Sequence, residues 1–426
     1  MTARTRRRKR LPAAVSREVR LLCVCQAVLS FGLGLAFPFF AIYLHRERGL
    51  PMTWVGVWLS AGVLATALSQ GWGGTLSDRW GRRRVMVLSL WARAATVLVL
   101  AAAIHGGWPL QAIVGVHLLS SFVSHFFEPS ARGWVADHSK PTERHRAYGL
   151  LRTATCAGFA VGPALGGLIA DRSYYLLFAA SAVVCAVSAA VASLVLKDSP
   201  SGRPQGQSDK PGEAEEGADP SFLKLCFFYA LLSIAMAQLV VPLSLYATKF
   251  MGLRDSQMGL LLSLNGVLIV LFQIPAVNLF AGIRLTVAIA FGSFLYAAGY
   301  AGVGWAGGLT GLIFAVAVVT GGEILVPSAV QALAANMSPP RLRGKYLGLL
   351  GLSRQIGSAI GPLAGCAGLE FAASRGLAGH WLAISAVAAI AGVGFMLLGG
   401  RLLPDEEGLV EEGLESEAAD NLRLGA

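Results

Sequence analysis

Charged residues are scarce in this sequence: they make up 14% of its 426 residues, against about 25% in ordinary soluble proteins. Hydrophobic residues make up 55%, and they stand in long runs separated by short charged stretches. A soluble fold would leave far too much of this apolar surface in water, and a disordered chain would need far fewer apolar residues. The composition excludes both classes and indicates a protein that crosses the membrane many times.

The sequence also lacks the usual marks of a metal site, a disulfide framework or an enzyme. Its six cysteines all fall inside apolar runs, where a thiol behaves as a small apolar side chain, and their spacing fits no zinc site. No phosphate-binding P-loop is present, and no Ser/His/Asp set or acidic pair at a membrane surface points to catalysis. We therefore expect no metal, no cofactor and no enzymatic activity.

Twelve apolar runs are long enough to span a membrane, which takes about 20 mostly apolar residues per helix. Helices satisfy their own backbone hydrogen bonds in lipid, so the sequence predicts an all-α polytopic membrane protein with two six-helix bundles. The first six helices are expected at residues 18–43, 52–75, 84–105, 108–130, 147–171 and 173–196. The second six are expected at residues 221–247, 257–280, 284–305, 308–332, 345–370 and 378–402.

Polar segments divide the chain into five parts. Residues 1–17 form a basic N-terminal tail, and residues 403–426 form an acidic C-terminal tail to which we assign no chemistry. The bundles occupy residues 18–197 and 221–402. Between them, residues 198–220 are rich in Pro, Gly, Ser and acids, which predicts a disordered cytoplasmic linker.

Basic residues are distributed unevenly between the two sides of the predicted bundle. With both termini in the cytoplasm, few of the 35 Lys and Arg residues lie outside: Arg46, Arg48, Arg172, Lys249, Arg254 and Arg375. This positive-inside bias predicts a multi-pass protein of the cell membrane with cytoplasmic termini. It also explains the net charge of +11 without a nucleic-acid partner, which we do not expect. The lipid bilayer is the expected partner of the basic tail.

The two halves repeat. A shift of 199 residues places Arg144 on Arg343. The same shift places Gly158, Gly162, Pro163 and Gly166 on Gly357, Gly361, Pro362 and Gly365. The fifth and eleventh helices are therefore expected to be structural counterparts, and many secondary carriers place the substrate path between such repeats.

One charged loop carries a recognisable motif after the second predicted helix. It reads Gly74-Thr-Leu-Ser-Asp78-Arg79-Trp-Gly81-Arg82-Arg83-Arg84. A basic anchor loop would explain the arginines, but not the glycines and the aspartate at these places. The motif resembles the signature loop of the major facilitator superfamily, G-x-L-x-D-R-x-G-R-[RK].

The resemblance implies that this loop forms a conformational latch. In that family the aspartate, here Asp78, holds the two halves together against the start of the eleventh helix. The arginine at Arg82 pairs with an acid of the fourth helix, for which the sequence offers Glu128. Such a charged network is useful because it breaks and re-forms. Exposed loop charges without that role remain the alternative.

A second motif lies in the fifth predicted helix, where glycines at a spacing of four make a flat packing face. It comprises Gly158, Gly162, Pro163, Gly166 and Gly167. This pattern resembles the antiporter motif of the twelve-helix drug:proton branch of the same superfamily, which implies export. Plain helix packing is the alternative, and the second-half copy shows that the pattern also serves symmetric packing.

Ionisable residues inside predicted helices are costly and therefore functional candidates. Glu323 stands out in the tenth helix, where it could exchange a proton with a cationic or polar substrate. His117 and Arg93 are lesser candidates, and Gln26 occupies the first helix, where many drug:proton exporters carry an acid. His117 lies roughly where those exporters place an arginine. A packing role is the alternative for each of them.

Together these features predict a secondary active transporter that works by alternating access. Proton-coupled export (antiport) of small amphipathic molecules or drugs is the interpretation we favour, with a small-molecule substrate and protons as partners and a monomer as the working unit. A facilitator or proton symporter that imports a small nutrient shares the fold and the loop. A non-transporting receptor or scaffold would need a soluble module or a degraded loop, and the sequence shows neither.

Overall fold

The computed structural model describes residues 16–139, 144–197, 219–280, 282–339, 342–404, 406–407 and 409. Within these ranges, the structure does not describe the surroundings of Gly74 or the side chains of Asp78, Arg144, His145, Arg146 and Arg343. Most of the predicted linker and of the two tails also lies outside the described residues. The regular structure of the described residues is helical throughout, which confirms the predicted all-α class.

The first half forms seven helical segments. They are α1 (Arg17–Arg46), α2 (Met52–Trp80), α3 (Arg82–His105), α4 (Leu110–Ser124), α5 (Phe127–Asp137), α6 (Arg144–Ala170) and α7 (Tyr174–Val195). The second half forms α8 (Pro220–Met236), α9 (Val241–Leu245), α10 (Asp255–Leu279), α11 (Leu285–Trp305), α12 (Leu309–Asn336), α13 (Arg343–Ala372) and α14 (Leu377–Gly399). A π-helical turn, Tyr246–Phe250, continues α9.

Two of the predicted spans are each broken by a proline. Pro129 lies in the first turn of α5, where its ring excludes a helical bond to the carbonyl of His125 four residues earlier. His125 directly follows the last residue of α4, Ser124. Pro242 acts in the same way at the start of α9, four residues after Gln238. Each pair of segments counts as one span, so the described helices form twelve spans.

Eleven of the described spans are long and apolar enough by length and composition to cross a membrane. The twelfth, α13, has 30 residues but carries Lys345, Arg354 and Gln355 in its first half. The second predicted helix continues beyond residue 75 to Trp80, and the fourth extends from residue 130 to Asp137. Apolar runs mark only the lipid-facing part of a helix, whereas its backbone ladder continues into polar residues at the membrane surface.

The two halves meet through symmetry-related helices. Within the first half α1 packs against α6 and α7, and within the second half α8 packs against α13 and α14. Between the halves, α6 packs against α10, and α13 packs against α2. These four helices correspond pairwise in the repeat, so the interface has approximate two-fold symmetry.

The two ends of the bundle are named here by the chain. The terminal side is the end at which α1 begins and α14 ends, and the far side is the end at which α1 ends and α2 begins. The motif loop at Gly81 lies on the terminal side. The turns at residues 47–51, 171–173 and 251–254 lie on the far side.

The end of the predicted linker and the start of the predicted C-terminal tail belong to the folded structure. Asp219, placed in the linker, caps α8 by accepting hydrogen bonds from Ser221 N at 3.1 Å and Phe222 N at 3.2 Å. Glu407, placed in the solvated tail, is fully buried and accepts from the Thr286 backbone N–H at 2.9 Å and hydroxyl at 2.6 Å. The beginning of the tail is therefore docked on the first turn of α11, where a carboxylate is favoured.

Candidate functional site

A cavity of about 570 Å³ lies between the two halves. Helices α1–α4, α6 and α7 line it from the first half, and α10, α12 and α13 line it from the second. Its aromatic wall consists of Phe37, Phe40, Phe159 and Phe178. A largely apolar space of this size with a few placed polar groups is typical of a small-molecule site.

The halves touch closely on the far side of this cavity. A Cβ added to Gly167 of α6 would collide with the backbone of Asp255 in α10, and one added to Gly56 of α2 would lie 2.7 Å from the Pro362 carbonyl of α13. Only glycine permits such backbone approach between helices. The far-side end of the interface is thus packed backbone to backbone.

A buried carboxylate joins the halves at the same end. Asp255, 1% exposed, opens α10 and accepts a hydrogen bond from the Arg46 guanidinium at 3.0 Å. Its other oxygen accepts from the Tyr174 hydroxyl at 2.6 Å. Arg46 and Tyr174 belong to the first half and Asp255 to the second, so this trio spans the interface; we call it the far-side clamp.

Two further carboxylates cross the interface in a symmetric way. Asp171 follows α6, and its Oδ1 accepts from the backbone N–H of Ser256, the second residue of α10, at 3.3 Å. Glu370 lies near the end of α13, and its Oε2 accepts from the backbone N–H of Thr53, the second residue of α2, at 2.8 Å. Each acid caps a helix start of the opposite half. The 199-residue shift relates Asp171 to Glu370.

The close approaches are replaced by open space toward the terminal side. A Cβ added to Gly71 of α2, Gly149 of α6 or Gly348 of α13 would meet nothing within 4 Å. The described hydrogen bonds between the halves lie on the far side or near mid-helix, as with Ala164 N to Ser263 Oγ at 2.9 Å. This is the arrangement expected of a cavity that faces the terminal side.

Glu323 lies on the cavity wall formed by α12. Its Oε2 accepts a hydrogen bond at 2.7 Å from the Asn265 amide of α10, which also donates to Thr320 Oγ1 at 3.0 Å. Within the described part of the chain no ion pair involves Glu323. Asn265 was missed at the sequence level, although an amide inside an apolar run was a signal that could have identified it.

Cationic groups line both walls of the cavity: Arg354 of α13 lies on the second-half wall, and the other cationic and imidazole groups lie on the first-half wall. Arg93 of α3 and His117 and His125 of α4 line it. The His117 ring stacks on Phe40 at a centroid distance of 4.2 Å, and His125 Nδ1 lies 2.8 Å from the Ser121 carbonyl. Gln26 is not among the lining residues; its amide donates to Ser30 Oγ at 3.3 Å.

The predicted pairing of the latch arginine is wrong. Arg82 Nη1 lies 3.1 Å from Asp137 Oδ2, whereas Glu128 pairs with Arg132 at 2.5 Å and accepts from Gln70 at 3.2 Å. The reason is the extended fourth span: Glu128 lies nine residues before the end of α5, or about 13 Å along its axis. Asp137, at that end, is level with the start of α3.

The motif predicted as a loop is mostly helical: residues 74–80 end α2, Gly81 forms the turn, and residues 82–84 begin α3. Gly81 has φ of 91°, a conformation that other residues rarely adopt. Arg83 donates to the carbonyls of Leu196 at 2.6 Å and Ser193 at 2.8 Å, which ties the end of α7 to the loop. Arg79 is exposed. The surroundings of Gly74 and the side chain of Asp78 are not described by the structure, so the latch contact of Asp78 stays a prediction.

Apart from Gly167, which meets Asp255 of the other half, the glycine rows pack each half internally. Added Cβ atoms on Gly158, Gly162 and Gly166 would collide with the backbone of α1. On α13, Gly357 meets the backbone of α8, and Gly361 and Gly365 meet side chains that follow it. Pro163 and Pro362 lie within their helices without breaking them. The repeat thus places the fifth and eleventh spans in equivalent contacts.

The fold, the repeat and the cavity between the halves are those of a carrier, and the comparison with known families agrees. The family model described as Major Facilitator Superfamily matches residues 22–362. Because the match covers more than half of the chain, the chain belongs to this superfamily of membrane transporters. It is a multi-pass membrane protein.

Curated relatives share about a quarter of the sequence over most of its length. The chain is 25% identical over 340 residues to the uncharacterized MFS-type transporter YqjV of Bacillus subtilis (strain 168), covering 78% of this chain and 81% of YqjV. It is 24% identical over 351 residues to the multidrug resistance protein MdtH of Escherichia coli (strain K12 / DH10B), covering 81% of this chain and 84% of MdtH.

Solved structures share the fold at lower sequence identity. A POT family transporter in complex with 5-aminolevulinic acid aligns with a TM-score of 0.77 at 13% identity, covering 90% of this chain and 96% of that one. A bacterial homolog to the human lysosomal transporter Spinster, in an inward-facing and occupied conformation, aligns with a TM-score of 0.70 at 16% identity, covering 91% and 97%. At such identities the likeness shows the fold alone.

Proposed function

We propose that this chain exports small amphipathic molecules in exchange for protons. The observation that carries the proposal is the position of Glu323: an ionisable group within a membrane-spanning helix, on the wall of the cavity between the halves. Its described hydrogen-bond partner is a neutral amide, and the charge of Arg152 acts on it without a direct ion pair, so a proton or a ligand can still bind the carboxylate directly. The likeness to MdtH, a multidrug resistance protein, supports drug export.

We propose that the terminal side is cytoplasmic, as the positive-inside bias predicts. The structure then represents the inward-facing state, in which a substrate enters the cavity from the cytoplasm. Release outside requires the far-side clamp and the caps at Asp171 and Glu370 to break. Closure inside would then involve the motif loop, with Arg82 held by Asp137 beside it.

The exchange needs competition between substrate and proton at one group. A protonated Glu323 is neutral and is tolerated in an empty cavity, whereas an ionised Glu323 suits a substrate that supplies a positive charge. Substrate binding from the cytoplasm then releases the proton inside, and reprotonation from outside releases the substrate there. The glycine rows do not decide the direction of transport, because the row on α6 and its repeat on α13 each pack against helices of their own half.

Proton flux in proteoliposomes tests this proposal. Purified protein is reconstituted with a known internal pH, and lipophilic cations and neutral amphiphiles are added one at a time. We expect substrate-triggered proton movement opposite to the substrate, lost in Glu323→Gln. Glu47→Gln is the matched control, since Glu47 is an exposed carboxylate on the far side outside the cavity.

Other outcomes define the alternatives. Substrate movement without proton flux would make the protein a facilitator and Glu323 a packing residue. Protons that move in the same direction as the substrate would make it a symporter. Full proton-coupled exchange in Glu323→Gln would keep the antiporter but refute the coupling role of Glu323.

A further inference from the structure

Arg93 is a guanidinium inside a membrane-spanning helix without a counterion. It lies near the middle of α3 and lines the cavity. Its Nε is buried without a hydrogen-bond partner, and among the described residues no ion pair involves it. An unpaired arginine at this depth is costly, and an uncompensated buried charge costs more than the pair it would form.

The remaining cavity groups do not supply the missing anion. On the first-half wall the ionisable neighbours of Arg93 are His117 and His125, neither of which carries negative charge. Among the described lining residues the one acid is Glu323, which lies on the second-half wall and is already bonded to Asn265. The two walls therefore differ in charge: among the described lining residues the first-half wall carries Arg93 and no acid, whereas the second-half wall carries Glu323 together with Arg354. Phenylalanine rings lie beside them.

We propose that the transported substrate is a zwitterionic amphiphile. Its anionic group accepts hydrogen bonds from Arg93, its cationic group binds Glu323, and its apolar body packs on the phenylalanine wall. The guanidinium fork is suited to a carboxylate or phosphate oxygen pair. This rests on the proposed function of the same cavity and refines it, because the cationic group would be the one that displaces the proton from Glu323.

A ligand that bridges both walls would also link the halves. Arg93 moves with the first half and Glu323 with the second, so both contacts form together only where the halves bring the walls into register. A molecule with one of the two charges leaves either Arg93 or Glu323 without a charged ligand group. An unpaired charge within the membrane-spanning bundle is costly in the empty site. The same cost favours a zwitterion over a molecule with one charge.

Three matched probes test the substrate class: homophenylalanine, 3-phenylpropylamine, which lacks its carboxylate, and 4-phenylbutyrate, which lacks its ammonium group. The readout is protection of Cys156, which lines the cavity and is partly exposed, whereas the other five cysteines are buried. Alkylation by a maleimide is followed by peptide mass spectrometry, with Cys156→Ser as the blank. We expect homophenylalanine to protect Cys156 from alkylation at a concentration about tenfold or more lower than the concentration that either analogue needs.

Substitutions on the two walls should separate the two charges. Arg93→Gln should reduce the protection of Cys156 by homophenylalanine to the level given by 3-phenylpropylamine. Arg93→Lys should retain part of the lost protection. Glu323→Gln should remove protection by the amine and leave 4-phenylbutyrate unchanged. Arg152→Gln is the control, since Arg152 lies one turn from Cys156 on α6, is exposed and does not line the cavity. It tests for an effect of local charge, which Arg152 exerts both on the Cys156 thiol and on Glu323.

Equal protection by the amine and by homophenylalanine would overturn the proposal, as would an unchanged preference in Arg93→Gln. Absence of protection by all three probes would overturn it as well. None of these results bears on proton exchange, which is measured separately in proteoliposomes with the cationic and neutral panel. Failure of the zwitterion proposal can therefore be told from failure of the antiporter proposal.

Discussion

Replacing Asp255 by Asn should shift the conformational equilibrium toward the state that opens on the far side. The substitution keeps the shape of the side chain and removes its charge. Asp255 contacts Arg46 and Tyr174 across the interface, and these contacts exist only while the far side is closed. A substitution that destabilises only one of two states shifts their populations by the free energy that this state loses.

The burial of the clamp sets the size of the effect. Arg46 is 43% exposed, so its ion pair with Asp255 contributes no more than about 1 kcal/mol. The Tyr174 hydroxyl and Asp255 are both buried, and a hydrogen bond to a charged group in such a place contributes about 1.5–3 kcal/mol. Asparagine keeps part of both contacts. We expect a net loss of about 1–2 kcal/mol, or a factor of about 5–30 in the equilibrium.

Cys156 reports this shift from within the cavity. Membrane-impermeant maleimide is applied from either side to vesicles of known orientation, and the rate of alkylation at Cys156 is measured by peptide mass spectrometry. Relative to the unsubstituted protein, Asp255→Asn should raise the ratio of far-side to terminal-side labelling. Glu47→Gln removes a carboxylate from the same face without a described ion pair and should leave the ratio unchanged.

An unchanged labelling ratio in Asp255→Asn would refute the clamp. A rise of the same size in Glu47→Gln would also refute it, because the cause would then be net surface charge and not the buried contact. Glu370→Gln offers a comparison of magnitude: Glu370 is exposed, so its cap on Thr53 should contribute less than the clamp.

Three further predictions concern packing and stability. Gly158→Val should prevent the packing of α6 on α1 and reduce the yield of folded protein in size-exclusion chromatography, whereas Gly149→Val, which enters open space, should leave it unchanged. Glu407→Ala should lower the free energy of unfolding by about 1–3 kcal/mol and the melting temperature by a few degrees in a thermal-shift assay. Arg82→Gln and Asp137→Asn should be non-additive in a double-mutant cycle of melting temperatures, and additive effects would contradict their pairing.

The fold could be predicted because hydrophobic runs, charge asymmetry and an internal repeat are properties of the chain itself. Helix breaks could not be located, since prolines such as Pro38 and Pro163 stay inside intact helices while Pro129 and Pro242 interrupt theirs. Whether a proline breaks a span depends on what its neighbours offer to the freed carbonyl. The pairing of Arg82 depended on where the fourth span ends, and apolar runs do not mark that point.

The sequence by itself determined the membrane class, the two-fold repeat, the motif loop and the candidate Glu323, because each follows from local residue types and spacing. The tertiary structure alone decided which charges meet: Asp255 with Arg46 and Tyr174, Arg82 with Asp137, and Arg93 with no counterion among the described residues. These partners lie on different helices and often in different halves. Their distances depend on helix packing and on the conformational state, neither of which is encoded by any single segment.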